Sequence, residues 1–243
     1  MRNATLICAF CLLTVLALLA GCAEVRQPAP ALDATAPQAA PVDLPSPLAI
    51  FPFENNAVTN NAEFEPLTGG LAAMLTTDLR QSAVHLKIIE RNKMRDLLQE
   101  IDLSQSGYVD QATALRVGKL LGAKSIAFGS FVVLGEQVRL DARVVNVETS
   151  ETLMAESITG TSDQFLQLEK KLAANIAAAF QERLAANHVS PSADTMSAAL
   201  AFSNGVAALD RGNRQEADSY FQKSIELDPG FAKQVDSILS SGN

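Results

Sequence analysis

The sequence predicts an α/β (α+β) fold: a mixed sheet with a β-meander and flanking helices, followed by a C-terminal α-hairpin. Three observations carry this expectation. Between Val138 and Val144, apolar residues alternate with Arg139, Asp141 and Arg143, the period-two pattern of a strand with one buried face. Phe165, Leu168, Leu172, Ile176, Phe180 and Leu184 recur every three or four positions, the stripe of a helix that covers a sheet. Helical spacing restarts after His188-Val189-Ser190-Pro191-Ser192, which breaks the pattern as a linker over 188–194.

The remaining elements follow in chain order. Leu48 to Phe53 is a short apolar strand, confined by Pro52 to a strand end or edge. Glu54 to Glu65 is polar and asparagine-rich, which predicts a loop. Leu71, Leu75 and Leu79 predict a helix over Leu67–Gln81, with Gly69-Gly70 marking its loop-to-helix start. Lys87 to Glu90 reads as a second strand. Asn92 is the predicted cap of a helix carrying Met94, Leu97, Leu98 and Ile101. Ser104 to Tyr108 is a loop. Asp110 caps the next helix, and Gly122 stops it. In the following strand Ile126, Phe128, Val132 and Leu134 are expected on one face. Gly135-Glu136 is the two-residue turn of a type II′ hairpin, and Glu148–Glu151 turns the chain into a third meander strand, Thr152–Thr161. Asp163 is the expected cap of the long helix, which reaches about Asn187. Helices over Thr195–Asp210 and Arg214–Leu227, joined at Arg211-Gly212-Asn213, and a short one over Phe231–Leu239 complete the chain.

The N-terminus is of another kind. Arg2 precedes an apolar run from Ala4 to Ala20, and Leu19-Ala20-Gly21-Cys22 follows. A charged start, an apolar middle and a small-residue cleavage site make a secretory signal over 1–21. The ending resembles the lipobox of bacterial lipoproteins, which implies that Cys22 is the lipidation site and the new N-terminus. Ala23 stands where an aspartate would retain the protein at the inner membrane, so the resemblance implies the outer membrane. Residues 22–47 then hold six of the ten prolines. Such a segment favours polyproline II, and its roughly 25 residues span at most about 75 Å. The expected domains are therefore 1–21 signal, 22–47 lipidated cysteine and linker, 48–187 α/β domain, 188–194 linker and 195–243 helical hairpin.

Composition narrows the function classes. The net charge is −8 and no basic block occurs, which argues against a nucleic-acid partner. Cys8 and Cys11 leave with the signal, and Cys22 carries lipid, so the folded part has neither a thiol for catalysis nor a pair for a disulfide. His85 and His188 are the only histidines, and no metal or nucleophile motif surrounds them. The expectation is a non-enzyme without cofactor or metal. Arg139, Asp141 and Arg143 form one charged strand face, which is either a site or a solvated surface.

Two resemblances add to this reading. Leu48-Ala49-Ile50-Phe51-Pro52-Phe53-Glu54-Asn55, Ile88-Ile89-Glu90-Arg91, Leu121-Gly122-Ala123, Phe128-Gly129-Ser130-Phe131 and the run Val138–Val147 together resemble the CsgG family of curli-secretion lipoproteins. They also resemble its FlgO-type, TolB N-terminal-like and LpoB relatives. The resemblance implies a three-layer α/β domain and an envelope protein partner. It departs from the pore-forming member, because Gly135-Glu136 leaves no room for a membrane hairpin. Ala198 to about Phe231 resembles one tetratricopeptide repeat, with Gly205, Ala217, Phe221 and Pro229 in place and Gly205 and Ala217 expected at the helix crossing. The function so implied is an outer-membrane-anchored periplasmic lipoprotein that binds protein as an assembly factor or regulator of an envelope machine. The membrane is held through Cys22, and homo-oligomers are compatible with this. The alternative is a subunit of a CsgG-like oligomeric secretion channel.

Overall fold

The mixed sheet is built around one ten-residue strand. In the computed structural model, which describes residues 45–83, 85–100, 110–182, 192 and 194–240, this strand, β3 (Ser125–Leu134), pairs on both sides. Strand β1 (Leu48–Ile50) runs parallel to its start, and β2 (Glu54–Asn55) runs parallel to Ser130 and Phe131. On its other side β4 (Gln137–Asn146) is antiparallel, and β5 (Thr152–Thr161) is antiparallel to β4. The spatial order is β1-β3-β4-β5, with β5 at one edge. A parallel β1–β3 pair needs a long crossover. The helices α1 (Asn61–Phe64), α2 (Leu67–Ser82), α3 (Arg91–Glu100) and α4 (Gln111–Leu120) lie within it.

Both faces of the sheet are covered, which makes three layers. On the first face Leu48, Ile50, Phe53, Phe131, Val133, Leu140 and Val144 pack against α2 and α5 (Phe165–Ala179). On the second face Ala49, Phe51, Ile126, Val145 and Val147 pack against Met94 and Leu98 of α3 and Ala114 and Val117 of α4. The first core continues without a break into α6 (Thr195–Asp210), α7 (Arg214–Leu227) and α8 (Ala232–Ser240) through Phe202, Val206, Phe221, Phe231 and Ile238.

Local chemistry sets the boundaries. Gly135 has φ 58 while Glu136 does not, as a type II′ turn requires. Gly122 (φ 70) ends α4 in a Schellman motif, with Ala123 N donating to Gly118 O and Gly122 N to Lys119 O. Gly212 (φ 78) repeats the motif after α6: Asn213 N donates to Ala208 O and Gly212 N to Leu209 O. Asn213 then caps α7 through its side chain, which accepts from Glu216 N. One residue thus closes one helix and opens the next, which is why the hairpin is so short. Asp110 caps α4 by accepting from Thr113 N at 3.0 Å, and this bond holds its carboxyl below the usual range.

Several expectations need correction. The polar stretch after β1 contains β2 and the short helix α1, because Asn61 and Asn55 bond across it and hold the turn. The strand expected at Lys87–Glu90 is only a bridge between Ile88 and Leu48. Helix α3 starts at Arg91, so Asn92 lies in its first turn rather than at its cap. The shared face expected in β3 does hold: Ile126 and Phe128 reach the smaller core, Val132 and the exposed Leu134 follow on the same side, and Ala127, Phe131 and Val133 reach the larger core opposite. The strand is apolar on both faces, so alternation alone could not choose between them. The cap ahead of α5 is Thr161, paired reciprocally with Gln164, and Asp163 accepts from the Thr161 hydroxyl. Helix α5 ends at Ala179, and Gln181 follows with φ 61. The expected helical residue Leu184, the loop 104–108 and His188 lie outside the described residues.

The hairpin is seated on α2 by one tight crossing. A Cβ on Gly70 would lie 1.8 Å from Ser203 Oγ and 2.9 Å from Ser203 Cα, so the α2 and α6 backbones nearly touch. Gly70 is a packing residue and does more than open the helix. Gly205 plays the same part within the hairpin, but its neighbour is the Phe221 ring at 2.5 Å rather than Ala217. Phe221 and Phe231 both flank Phe202, with ring centroids 5.7 and 5.9 Å away. Tilted aromatic pairs of this kind add about 0.5–1.5 kcal/mol each beyond their buried area.

Candidate protein-binding face

Helices α3 and α4 cover only part of the second sheet face. They shield Ile126 and Val145, near the start of β3 and the end of β4. Among the described residues no helix covers the rest of that face. Strand alternation puts Arg139, Asp141 and Arg143 of β4 there, because Val138, Leu140, Ala142 and Val144 fill the opposite core. The register completes the rows: Ser130 and Ser157 flank Asp141, Phe128 and Ala155 flank Arg143, and Val132 and Thr159 flank Arg139. The result is an open cleft of 530 Å³ with β4 and β5 as its floor and Pro52, Glu54 and Asp110 on its wall.

Close strand contact keeps the floor flat. Gly129 sits opposite Ala142, and a Cβ there would lie 1.9 Å from Asp141 O and 2.8 Å from Phe53. Arg139 Nε donates to both Asp141 oxygens at 2.9 Å. That carboxylate raises the guanidinium further above its ordinary value. The Arg143 side chain is exposed and makes no hydrogen bond or ion pair with the described residues. It is the free cation of the described floor, ready for an acceptor from outside. All three charged residues singled out from the sequence therefore meet in one cleft. Asp110, Ser130 and Ser157 join them. Neither serine stood out as a site residue in the sequence, because only the register brings them alongside Asp141.

A second, more apolar groove of 270 Å³ runs between α2, α3 and α6, with Ile50, Ala72, Met94, Leu98 and Ala207 on its walls. Arg91 Nη1 closes it by donating to both oxygens of Asp210 at 2.8 and 2.9 Å. Arg95 reaches the same carboxylate at 3.4 Å. These pairs link the α/β part to the end of α6, and all three side chains are about three-quarters buried.

The described linings of both places hold no histidine or cysteine. His85 lies elsewhere, its backbone N–H donating to Glu182 Oε1 at 2.8 Å. Among the described residues no group of His, Cys, Asp or Glu could hold a metal ion. No helix among them is long and apolar enough to cross a membrane. Cys22, the expected lipidation site, lies outside the described residues. Charged floor, small hydroxyl side chains and an open shape suit recognition of a polar surface.

Residues 38–140 match the family model for the curli production assembly/transport component CsgG. No curated protein sequence matches the chain. Among solved structures, the C-terminal domain of LpoB from Salmonella enterica is 15% identical, with 47% of this chain and 81% of that chain covered and a TM-score of 0.38. Lipoprotein GNA1162 from Neisseria meningitidis is 14% identical, with 55% and 99% covered and a TM-score of 0.41. TolB from Acinetobacter baumannii is 15% identical at a TM-score of 0.37; the match covers 57% of this chain and 29% of that one.

Proposed function

We propose, from the match of residues 38–140 to the CsgG family model, that this chain is an outer-membrane lipoprotein facing the periplasm. It binds another envelope protein as an assembly factor or regulator. The family match over 38–140 is the observation that carries the reading. The lipobox at Leu19–Cys22 supports the anchor, and the proline-rich 22–47 supports a tether that gives it reach. The charged cleft with its free Arg143 supports a protein partner rather than a small substrate. The tetratricopeptide-like hairpin acts as part of the same body, since its core is continuous with the sheet's.

The anchor is tested by Cys22→Ser. Mass spectrometry should find wild type acylated at residue 22 and the variant uncleaved and without lipid. Normal processing of the variant would sink the anchor. The partner is tested by crosslinking in cells from a photoreactive residue at Arg143, followed by mass spectrometry. One reproducible envelope protein is expected, and its absence would overturn partner binding. Ring particles in micrographs would instead favour a channel subunit.

A further inference from the structure

The two edges of the sheet are treated differently. At one edge, β1 is three residues long and covered: Leu48 N donates to Lys87 O and Ile89 N to Leu48 O. At the other edge, β5 is ten residues long, and among the described residues its only backbone ladder is with β4. Among the described residues no backbone–backbone bond outside that ladder reaches 152–161.

Soluble proteins usually guard such an edge with lysine, proline, a bulge or a covering segment. Residues 152–161 contain no lysine, arginine or proline. The one irregularity falls at the Val144/Val145 step, opposite the start of β5, so Met154–Thr161 is regular. The single charge, Glu156, is turned to the helix side, where Asn175 Nδ2 donates to it at 3.2 Å. On the cleft side its regular stretch shows only Ala155, Ser157, Thr159 and Thr161. Among the described residues the edge offers backbone groups and small side chains, with nothing to repel another strand.

From this arrangement we infer that β5 is the joint between two copies of this chain, paired antiparallel about a two-fold axis through Ser157. A second copy fits because the strand complements itself in that register. Ala155 falls opposite Thr159, Met154 opposite Gly160 and Glu156 opposite Ile158, so no like charges face each other. Shifting the axis to Glu156 would set two carboxylates opposite one another. The axis stands normal to the sheet, so the two clefts open on the same side and form one wide charged floor. The described chain begins at the far edge, where Ser125 Oγ donates to Pro45 O. The joint also gains from the proposed membrane anchor, which would hold copies at high local concentration. The pairing itself does not depend on the identity of the envelope partner.

The test uses the full chain in its native envelope. Ser157→Cys should give an oxidised dimer, since directly opposed residues bring their Cβ atoms within about 4.5–5.5 Å, close to disulfide reach. Val58→Cys, exposed on the segment after β2, should give no more than the wild-type background set by Cys8, Cys11 and Cys22. Sedimentation of the detergent-solubilised chain should show a protein mass of two copies. Ser157→Lys should weaken self-association about tenfold or more. The lysine meets Asp141 within its own copy but a second lysine across the axis, so the melting temperature should hold. A wild-type monomer, a dimer untouched by Ser157→Lys, or a residue-157 crosslink to a different protein would each overturn the joint. The last result would leave partner binding standing.

Discussion

Gly70→Ala is expected to destabilise the protein by about 2 kcal/mol, while Gly69→Ala next to it is expected to stabilise it. Both glycines lie in the first turn and a half of α2, and by helix propensity both changes should help, by up to about 1 kcal/mol. Packing separates them. A Cβ on Gly69 meets nothing within 4 Å. One on Gly70 runs into Ser203, including its Cα at 2.9 Å, and backbone cannot swing aside like a side-chain tip. Overpacking of this kind costs roughly 1–3 kcal/mol. For a chain of this size, each kcal/mol moves the melting temperature by about 2–4 °C. Thermal unfolding followed by circular dichroism would show the two variants moving in opposite directions. Adding Ser203→Gly to Gly70→Ala should recover part of the loss, because it removes the Cβ and Oγ that crowd the site. Equal and small shifts for both single variants would mean that α2 and α6 are not in close contact.

Glu169→Gln is expected to raise stability at neutral pH and to flatten its pH dependence. Glu169 lies on α5 and is completely buried. Neither of its oxygens has a donor. Its neighbour Asp78 is already engaged by Lys170 Nζ and Gln234 Nε2, both at 2.9 Å. Two carboxylates cannot bond unless one carries a proton, and Glu169 is the one without a cation of its own. Burial, and then the Asp78 charge, push its carboxyl well above the ordinary value of 4.5. The sign follows from proton binding. Below 4.5 both the folded and the unfolded chain hold this proton, and the stability is fully present. Above it the unfolded chain ionises first, so stability falls as pH rises toward the folded value, by about 1.4 kcal/mol per unit of separation. Glutamine keeps the shape and cannot ionise. Urea unfolding between pH 5 and 8 should show a declining wild-type curve and a flatter variant curve, diverging with pH. Parallel curves would mean that Glu169 is ionised in the folded protein.

The residues that made the fold legible were those whose local chemistry fixes an element end. Asp110, Gly122, Gly135, Gly212 and Asn213 each set a boundary through a single hydrogen bond or a positive φ, and the helices of the hairpin fall where the spacing put them. What was not legible depended on contacts distant in sequence. Gly70 is silent until α6 is laid across it. The buried face of β3 is undecided in a strand apolar on both sides, and the short pairing at Ile88 needs Leu48 beside it. The candidate cleft was half legible. The alternation of β4 put Arg139, Asp141 and Arg143 together, but only the extent of α3 and α4 leaves them uncovered.

The two cores are unequal, and this bears on motion. The larger holds the sheet, α2, α5 and the hairpin in one cooperative body. The smaller is confined to the layer of α3 and α4, with Met94, Leu98, Ala114 and Val117 as its helical contribution. Local opening follows the apolar surface that must be exposed. Amide hydrogen exchange should therefore fall into two tiers, with α3 and α4 exchanging through an opening well below the global unfolding free energy. Because that layer forms one wall of the cleft, its breathing would let the charged floor widen without unfolding the sheet beneath.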